Sequence, residues 1–341
     1  NKVSIDREGA EVLEISGEKI FLNTGSSPFI PEIDGLKETP YLTSSSIMEL
    51  EETPEHLIIL GAGYIGLEFG QMFNRFGSKV TIIDKAPRLV PKEDKDVCEE
   101  VSKIFTEESI ETILEAAVTK VNYENKQFKI YLEDYTGPKM VEGSHLLVAT
   151  GRKPNSKGLG LEAIGVDLTE KGHIAVNDTF ETRVPNIYAL GDVAGSPPFT
   201  HMAYNDAHIA FRSIYEGDKE ISSKDRLLPY CVFIDPQLAR IGLNEKEAIE
   251  KGISYKVGKF FMKHAGRALE TDETSGSFKV LVDPKSKQIL GATILSLDGG
   301  EVMAVLQMAM VGEVTYDKIQ NLPIAHPTLA ESLNNLMMQI E

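Results

Sequence analysis

Cysteine is scarce in this chain: only Cys98 and Cys231 occur among 341 residues, far apart in the sequence. They could form a single disulfide, whereas a secreted protein held by disulfides normally carries more cysteines at this length. The scarcity therefore predicts a reducing, cytoplasmic compartment. Cys231 falls in an apolar strand pattern and Cys98 in a helical one, which favours inert core positions for both thiols.

Basic residues are also fewer than acidic ones. Lys and Arg number 35 against 52 Asp and Glu, so the formal net charge is −17. Such a surface repels polyanions, which argues against nucleic-acid binding through a broad basic face. No apolar run approaches the roughly 18 to 20 residues that span a bilayer, and the first residues lack the apolar segment of a signal peptide. We expect neither a nucleic-acid nor a membrane partner.

The chain does contain a strand, a glycine-rich turn and a helix in the order that dinucleotide binding requires. Residues 56–60 are apolar and predict a strand buried on both faces. Residues 61–66 match the pattern G-x-G-x-x-G, and apolar residues at helical spacing follow over 67–76. Residues 79–84 predict a second buried strand. Together they predict one βαβ unit of about 30 residues.

The three glycines of the turn have separate roles in this pattern. Gly61 makes the tight turn, Gly63 lets the backbone approach a pyrophosphate, and Gly66 lets the helix pack closely on the strand. The helix N-terminus supplies free N–H groups and partial positive charge to the phosphates. The glycine pattern alone is weak, but between a buried strand and a helix it predicts binding of the ADP half of NAD(H).

Asp84 ends the second strand, 18 residues after Gly66, close to the spacing of about 20 at which an acid accepts hydrogen bonds from the adenosine ribose. A carboxylate at this position also repels the 2′-phosphate of NADP. Lys85 and Arg88 follow it and could attract that phosphate, although simple solvation of both side chains is the favoured interpretation. We therefore expect NADH to be preferred over NADPH.

The remainder of the chain alternates between helical and strand patterns. Predicted helices span residues 95–108, 201–215, 244–251, 301–310 and 329–337. Antiparallel strands are predicted over 118–132, and single strands over 145–150, 186–190, 276–282 and 288–295. Asn244 and Glu247 suit a capping box. His201 and His208, seven residues apart on one predicted helix, match no pattern of metal ligands, and no metal site is expected. Strands followed by helices at the end predict a separate α+β domain.

Several motifs stand in a fixed order, namely Gly61–Gly66, Asp84, Thr150-Gly151-Arg152, Tyr188-Ala189-Leu190-Gly191-Asp192, and Ala325-His326-Pro327-Thr328 with Glu331. With them the chain resembles the class I pyridine nucleotide-disulfide oxidoreductases, which are homodimeric FAD enzymes such as dihydrolipoamide dehydrogenase and mercuric reductase. The resemblance covers essentially all of the chain. Residues 267–276 and 331–336 look most like the mercuric-reductase-like branch, which includes bacterial enzymes that reduce reactive chlorine-type oxidants, although the vicinal cysteines of mercuric reductases are absent.

The resemblance implies an α/β fold in which a Rossmann-like NAD-binding domain is inserted in a partial FAD-binding domain, with a C-terminal α+β dimerisation domain. Residues 1–53 would be a remnant of the first FAD segment and 54–150 the NAD(P)-binding domain. Residues 151–227 would be the second FAD segment and 228–341 the dimerisation domain. The apolar stretch 301–310 could form a dimer seam or simply the core of its domain.

Roles for single residues on the flavin side follow from the same resemblance. Asp192 matches the acid that hydrogen-bonds the ribityl and pyrophosphate region of FAD. Gly151 and Gly191 belong to the two glycine motifs that accompany it. The alternative for Asp192 is an acid that only caps a turn.

On the nicotinamide side, Tyr64 matches the residue that gates the nicotinamide pocket over the flavin, and Glu68 matches a helix acid near the nicotinamide. Ile65 lies between them in the glycine turn and is assigned to the same cofactor site. The alternatives are an ordinary aromatic side chain at a helix start for Tyr64 and a buried, hydrogen-bonded carboxylate for Glu68.

His326 and Glu331 match the catalytic pair of the family, which lies across the dimer interface from the redox cysteines of the partner. A carboxylate that holds one imidazole nitrogen leaves the other to act as acid or base on a thiol. A structural histidine remains the alternative.

The chain departs from the family pattern at its beginning. The family's own G-x-G-x-x-G for FAD and its redox pair C-x₄-C do not occur in this sequence. We therefore expect the chain to lack the N-terminal FAD-binding segment. Three hypotheses follow: a parent flavoenzyme that passes hydride through FAD to a redox disulfide and then to a disulfide or oxidant substrate, an inactive dinucleotide-binding dimer fragment, and a flavin NADH oxidase without a redox disulfide.

Overall fold

The computed structural model describes residues 2–224 and 226–341. Their contacts divide the chain into two compact units, one formed by residues 1–29 with 152–226 and the other by residues 30–151 with 227–341. Each unit is therefore built from two segments that are distant in sequence. The division into four functional segments stays a prediction.

Strands and helices are numbered in chain order. The strands are β1 (Lys2–Ile5), β2 (Leu13–Ser16), β3 (Ile20–Leu22), β4 (Ser26–Pro28), β5 (His56–Leu60), β6 (Lys79–Ile83), β7 (Glu111–Ile113), β8 (Ala117–Glu124), β9 (Gln127–Asp134), β10 (Gly137–Gly143), β11 (His145–Val148), β12 (Arg152–Pro154), β13 (Ile187–Ala189), β14 (Tyr230–Val232), β15 (Gln237–Gly242), β16 (Lys256–Phe261), β17 (Ser277–Val282) and β18 (Ile289–Ser296). The helices are α1 (Tyr64–Arg75), α2 (Lys95–Glu107), α3 (Thr200–Phe211), α4 (Glu245–Glu250), α5 (Gly266–Glu270), α6 (Gly299–Val311), α7 (Tyr316–Gln320) and α8 (Ser332–Met337).

A parallel sheet in the order β11-β5-β6-β7 forms the centre of one part of the larger unit. Alternate residues of a strand point to opposite faces. Leu57 and Ile59 accordingly pack in the core that contains residues of α1 and α2. Ile58 and Leu60 pack on the other face, against the antiparallel strands β8 and β9. Burial on both faces explains why residues 56–60 are continuously apolar.

One boundary in this region differs from the sequence prediction. Helix α1 begins at Tyr64 rather than at residue 67, because Gly63 is its N-cap residue. The antiparallel strands predicted over 118–132 are confirmed as β8 and β9, which are joined at Asn125 and Lys126. Both of those residues have positive φ, at 51° and 63°, as a tight hairpin turn requires.

A five-stranded antiparallel sheet, in the order β14-β15-β18-β17-β16, forms the other part of the larger unit. Helix α6 packs against β15 and β18 in its core. The predicted capping box of α4 is confirmed: the Asn244 side chain accepts a hydrogen bond from the Glu247 N–H at 2.9 Å, and Glu247 accepts one from the Asn244 N–H at 3.2 Å. Sheet and helices together give the predicted α+β arrangement.

The smaller unit contains three two-stranded sheets, β1-β2, β12-β4 and β13-β3. Helix α3 ends at Phe211, and a π-helical turn continues to Glu216, so the helix predicted over 201–215 is regular only in its first part. Across the residues that the structure describes, no helix is long and apolar enough to cross a membrane.

Candidate functional site

The glycine turn between β5 and α1 requires glycine at two of its three glycine positions. Gly61 has φ +119°, and a Cβ there would lie 2.4 Å from the carbonyl oxygen of Ala149. A Cβ on Gly66 would lie 2.1 Å from the carbonyl oxygen of Gly61. These two glycines therefore allow the turn and the close packing of helix on strand.

Gly63 differs from the other two because a Cβ there would meet no atom within 4 Å. Its φ of −81° and ψ of 176° are extended backbone that any residue adopts. As the N-cap residue of α1 without a side chain, it leaves the N–H groups of the first helical turn available to a ligand. The open space in front of Gly63 fits the approach of a pyrophosphate.

Asp84 closes the same site from the end of β6. One carboxylate oxygen accepts a hydrogen bond from the Ala62 N–H of the glycine turn at 2.6 Å, and the other accepts from the Ala86 N–H at 2.7 Å. The carboxylate is thus fixed directly beside the turn. Each oxygen has a further lone pair for a ribose hydroxyl, so the residues present fit an adenosine diphosphate moiety.

Tyr64 and Glu68 lie one helical turn apart at the start of α1, with Ile65 between them, and all three are partly buried. The Glu68 carboxylate accepts a hydrogen bond from the Phe233 N–H at 2.7 Å. Burial raises the pKa of Glu68, and the bond from Phe233 opposes that rise. The contact with Phe233 could not be read from the sequence, because the two residues are 165 positions apart.

The motif that contains Asp192 lies in the smaller unit, on the turn after β13. Gly191 has φ +67°, and a Cβ there would lie 3.1 Å from the Ala203 Cβ. The Gly191 N–H donates to the fully buried carboxylate of Asp206 at 2.7 Å, and Asp206 is paired with Arg226 at 2.6 Å. The backbone at Gly191 is therefore fixed by the buried Asp206 carboxylate of the same unit.

The Asp192 carboxylate has two neighbours that sequence reasoning missed. The Ser26 hydroxyl donates to it, and the Arg152 guanidinium, 3.9 Å from it, also donates to the Ser26 hydroxyl at 2.7 Å. Asp192 keeps about a quarter of its side chain exposed, which leaves it accessible to a ligand. The sequence signal that could have identified Arg152 is the Gly-Arg motif that contains it.

Gly151 follows β11 at the end of the parallel sheet and belongs to the larger unit. Its φ is +130°, and a Cβ there would meet no atom within 4 Å. Backbone at this position is therefore open to close approach, as the assignment of Gly151 to a cofactor site requires.

His326 and Glu331 are brought into contact, as the resemblance implies. The His326 Nδ1 lies 2.8 Å and 3.1 Å from the two Glu331 carboxylate oxygens. Because a carboxylate only accepts hydrogen bonds, Nδ1 carries the proton and Nε2 is the acceptor nitrogen of the neutral ring. The His326 side chain is 69% exposed, so its Nε2 is accessible to a reacting group.

The two cysteines are not part of this arrangement. Both are free, Cys98 buried on α2 and Cys231 half-buried on β14. Burial raises the pKa of each thiol to about 11. Since the thiolate is the reactive form, neither is suited to thiol chemistry at neutral pH.

Comparisons with known proteins identify relatives of the whole chain. The sequence model of the pyridine nucleotide-disulphide oxidoreductases matches residues 1–207, and that of their dimerisation domain matches residues 228–337. The probable pyridine nucleotide-disulfide oxidoreductase RclA of Escherichia coli is 36% identical over 331 residues, which cover 96% of this chain and 74% of that protein.

A mercuric reductase of Staphylococcus aureus is 34% identical over 320 residues, covering 94% of this chain and 58% of that protein. The chain thus spans between about half and three quarters of the curated relatives that it matches. Among solved structures, the Cu(II) complex of the HOCl-induced flavoprotein disulfide reductase RclA from E. coli superposes with a TM-score of 0.92 at 34% identity, over 99% of this chain and 76% of that one.

Proposed function

Because the chain belongs to the pyridine nucleotide-disulphide oxidoreductase family, a family of flavin-dependent oxidoreductases, we propose that it binds NADH through the turn Gly61–Gly66. We further propose that the whole protein passes hydride from NADH by way of FAD to a redox disulfide, and then to a disulfide or oxidant substrate. The observation that carries the proposal is the glycine turn, with open space at Gly63 and the fixed Asp84 carboxylate beside it.

On the flavin side, Asp192 and Gly191 of the smaller unit are the residues that would hold FAD. When bound there, FAD would supply the chemistry of hydride acceptance from reduced nicotinamide. The protein's part is to hold the Asp192 carboxylate through Ser26 and Arg152 so that it can accept hydrogen bonds from cofactor hydroxyls. Prepositioned acceptors avoid reorganisation when the ligand binds.

On the thiol side, we assign His326 as the acid–base group and Glu331 as the residue that orients it. The Glu331 carboxylate accepts a hydrogen bond from the Nδ1–H of His326. The Nε2 atom is therefore the one that takes up or returns the proton of a substrate thiol. A homodimer, supported by the match to the dimerisation domain, would bring this pair to the partner subunit. The scarcity of cysteine supports a cytoplasmic location.

A disulfide or oxidant is the acceptor class that the relatives support, since RclA is described as an HOCl-induced disulfide reductase. A second candidate is supported by the two cysteines, whose raised pKa values leave them unreactive. In that case the chain binds the dinucleotide, either as a dimer without catalysis or as a flavin NADH oxidase without a redox disulfide. An assay of NADH oxidation with a disulfide substrate separates the two candidates. Oxidation of NADH that depends on the disulfide would support the first candidate, and no such oxidation would support the second.

The preference for NADH is tested by the substitution Asp84→Ala. Hydrogen bonds to a charged group contribute about 1.5–3 kcal/mol, so we expect the Kd for NADH to rise about tenfold or more. The Kd for NADPH changes less, because removal of the carboxylate also removes its repulsion of the 2′-phosphate. Fluorescence titrations with both dinucleotides measure the two constants.

Glu99→Ala is the matched control, since it removes one negative charge from an exposed position on α2, where Glu99 pairs with Lys95. It should leave both constants unchanged. An Asp84→Ala protein that binds NADH as tightly as the unchanged chain would contradict the assignment of Asp84.

A further inference from the structure

One face of helix α1 holds the backbone that follows β14. Glu68, Gln71 and Arg75, at helical spacing, each bond to the segment Phe233–Asp235. Glu68 accepts from the Phe233 N–H at 2.7 Å, Gln71 accepts from the Asp235 N–H at 2.7 Å, and the Arg75 guanidinium donates to the Asp235 carboxylate at 2.5 Å. We call these three side chains and the segment they hold the α1 clasp.

Gln71 is the central member of the α1 clasp. It is 3% exposed. Its amide accepts from the Asp235 N–H and donates to the Asp235 carbonyl oxygen at 2.7 Å, and it donates to the Glu108 carboxylate at 2.8 Å. The Gln71 amide thus accepts from and donates to the backbone of one residue, Asp235, so Gln71 fixes the position of this segment along α1.

The clasp determines where Phe233 lies. Phe233 is 70% exposed although it is a large aromatic residue, and its backbone is bonded to Glu68. Tyr64 precedes Glu68 by four positions, which places both on the same face of α1. Phe233 and Tyr64 are thus two aromatic residues at the end of the helix where the glycine turn binds the dinucleotide.

We propose that Gln71 is a positioning residue for the nicotinamide half of the dinucleotide. It holds the segment Phe233–Asp235 on α1 so that the exposed ring of Phe233 contacts the nicotinamide beyond Tyr64. An exposed aromatic ring gains by stacking on a planar heterocycle. The inference rests on the proposed binding of NADH at Gly61–Gly66, and it adds a residue that touches neither the pyrophosphate nor the adenosine.

The test compares two ligands that share the ADP-ribose portion. NADH carries the nicotinamide and ADP-ribose does not, so the ratio of their dissociation constants isolates the nicotinamide contacts. The unchanged chain should bind NADH more tightly than ADP-ribose. In Gln71→Met, which has similar volume but none of these hydrogen bonds, the Kd for NADH should rise about three- to tenfold. The Kd for ADP-ribose should change by less than about twofold.

Two further variants accompany this comparison. Phe233→Ala should reproduce the loss of NADH affinity with no change for ADP-ribose, and its exposed position makes correct folding the expected outcome. Asn74→Ala is the matched control, because Asn74 donates to the Glu108 carbonyl at 3.0 Å from the same helix and is not part of the clasp. It should leave the ratio unchanged.

The outcomes separate the two proposals. If the unchanged chain binds ADP-ribose but binds NADH no more tightly, or if Phe233→Ala keeps the full difference, the positioning role of Gln71 is overturned while the proposed function stands. If the unchanged chain binds neither ligand, the proposed function fails, and the role of Gln71 fails with it.

Discussion

At the scale of single residues, the glycine turn separates the requirements of folding from those of binding. A Cβ at Gly66 would lie 2.1 Å from a backbone oxygen, whereas a Cβ at Gly63 would meet nothing within 4 Å. Glycine is therefore needed for packing at Gly66, and under the proposed function it serves ligand approach at Gly63. A substitution at each position distinguishes the two.

We expect Gly66→Ala to lower the free energy of unfolding by about 1–3 kcal/mol, because the added methyl group must displace the packed strand or turn. Gly63→Ala should leave the free energy of unfolding nearly unchanged, since its extended backbone and open surroundings accept a methyl group. Denaturant unfolding of both variants measures the difference. Equal stabilities would contradict the described packing of this turn.

Site residues close in sequence could be predicted, and those brought together by the fold could not. His326 and Glu331 are five positions apart and are in contact, and Asp84 stands at the spacing that a βαβ unit requires. Ser26, however, reaches Asp192 across 166 positions. A serine or an arginine gives no sequence signal of such a partner, because only the three-dimensional path of the chain determines it.

At the scale of elements, a buried lysine joins helix α2 to the antiparallel sheet. Lys279 on β17 is 2% exposed, and its ammonium lies 2.5–3.0 Å from the carboxylates of Asp94, Asp96 and Glu245. These carboxylates are close enough together to suit a cation, and the ammonium occupies that position. Burial alone lowers the pKa of Lys279, but the hydrogen bonds to the carboxylates outweigh it and raise the pKa above its usual range.

We predict that Lys279→Met lowers the free energy of unfolding by about 3–5 kcal/mol, because it leaves the buried Asp94 carboxylate without its counter-charge. Lys95→Met is the control: Lys95 is exposed and pairs with Glu99 on the same helix, and such pairs contribute about 0.5 kcal/mol or less. Denaturant unfolding at neutral pH compares the two. The two free energies of unfolding could still differ by about 1 kcal/mol, which is twice the usual effect of a surface substitution. A difference no larger than this would show that the cluster contributes little to stability.

The contribution of this cluster to the free energy of unfolding depends on pH, and the pKa of Asp96 gives the direction of that dependence. The hydrogen bonds from Lys259 and Lys279 outweigh burial and hold the pKa of Asp96 below its ordinary value. A carboxyl group with a lowered pKa in the folded state stabilises the fold above its unfolded pKa, and that contribution is lost as the pH falls through the folded value. Lys279→Met should therefore reduce the acid-dependent part of the stability.

The elements themselves were predictable where local signals were strong. The capping box at Asn244 and the apolar run 56–60 are examples, and both are present in the structure. Strand β10 was missed because Gly137, Pro138 and Lys139 are poor strand formers. Its pairing with β9 over seven residues outweighs those local preferences.

At the scale of the whole molecule, each compact unit joins segments that the sequence separates. Gln71 and Asp235, which are 164 positions apart, meet in the larger unit. Motif order identified the family, since motifs are local. The grouping of residues 30–151 with 227–341 has no local signal, because it depends on contacts between distant segments.

We predict that the exposed apolar residues of α6 form the dimer seam. Val305, Met308 and Val311 recur every three residues on α6 and are 46%, 68% and 65% exposed, within the region that matches the dimerisation domain. We expect Met308→Glu to weaken dimerisation at least about tenfold, because a buried unpaired charge is costly. Analytical ultracentrifugation measures the change. Ile249→Glu, at a similarly exposed apolar residue of α4, is the control, and an undiminished dimer in Met308→Glu would place the seam elsewhere.

Calorimetric titration with NADH tests whether this chain binds the dinucleotide through the turn Gly61–Gly66. We predict saturable binding of one NADH per chain. We also predict its loss in Gly63→Val, whose side chain fills the space in front of the turn while the unfolding midpoint stays unchanged. If the unchanged chain showed no saturable binding, or if Gly63→Val bound NADH equally tightly, the dinucleotide would not bind at this turn.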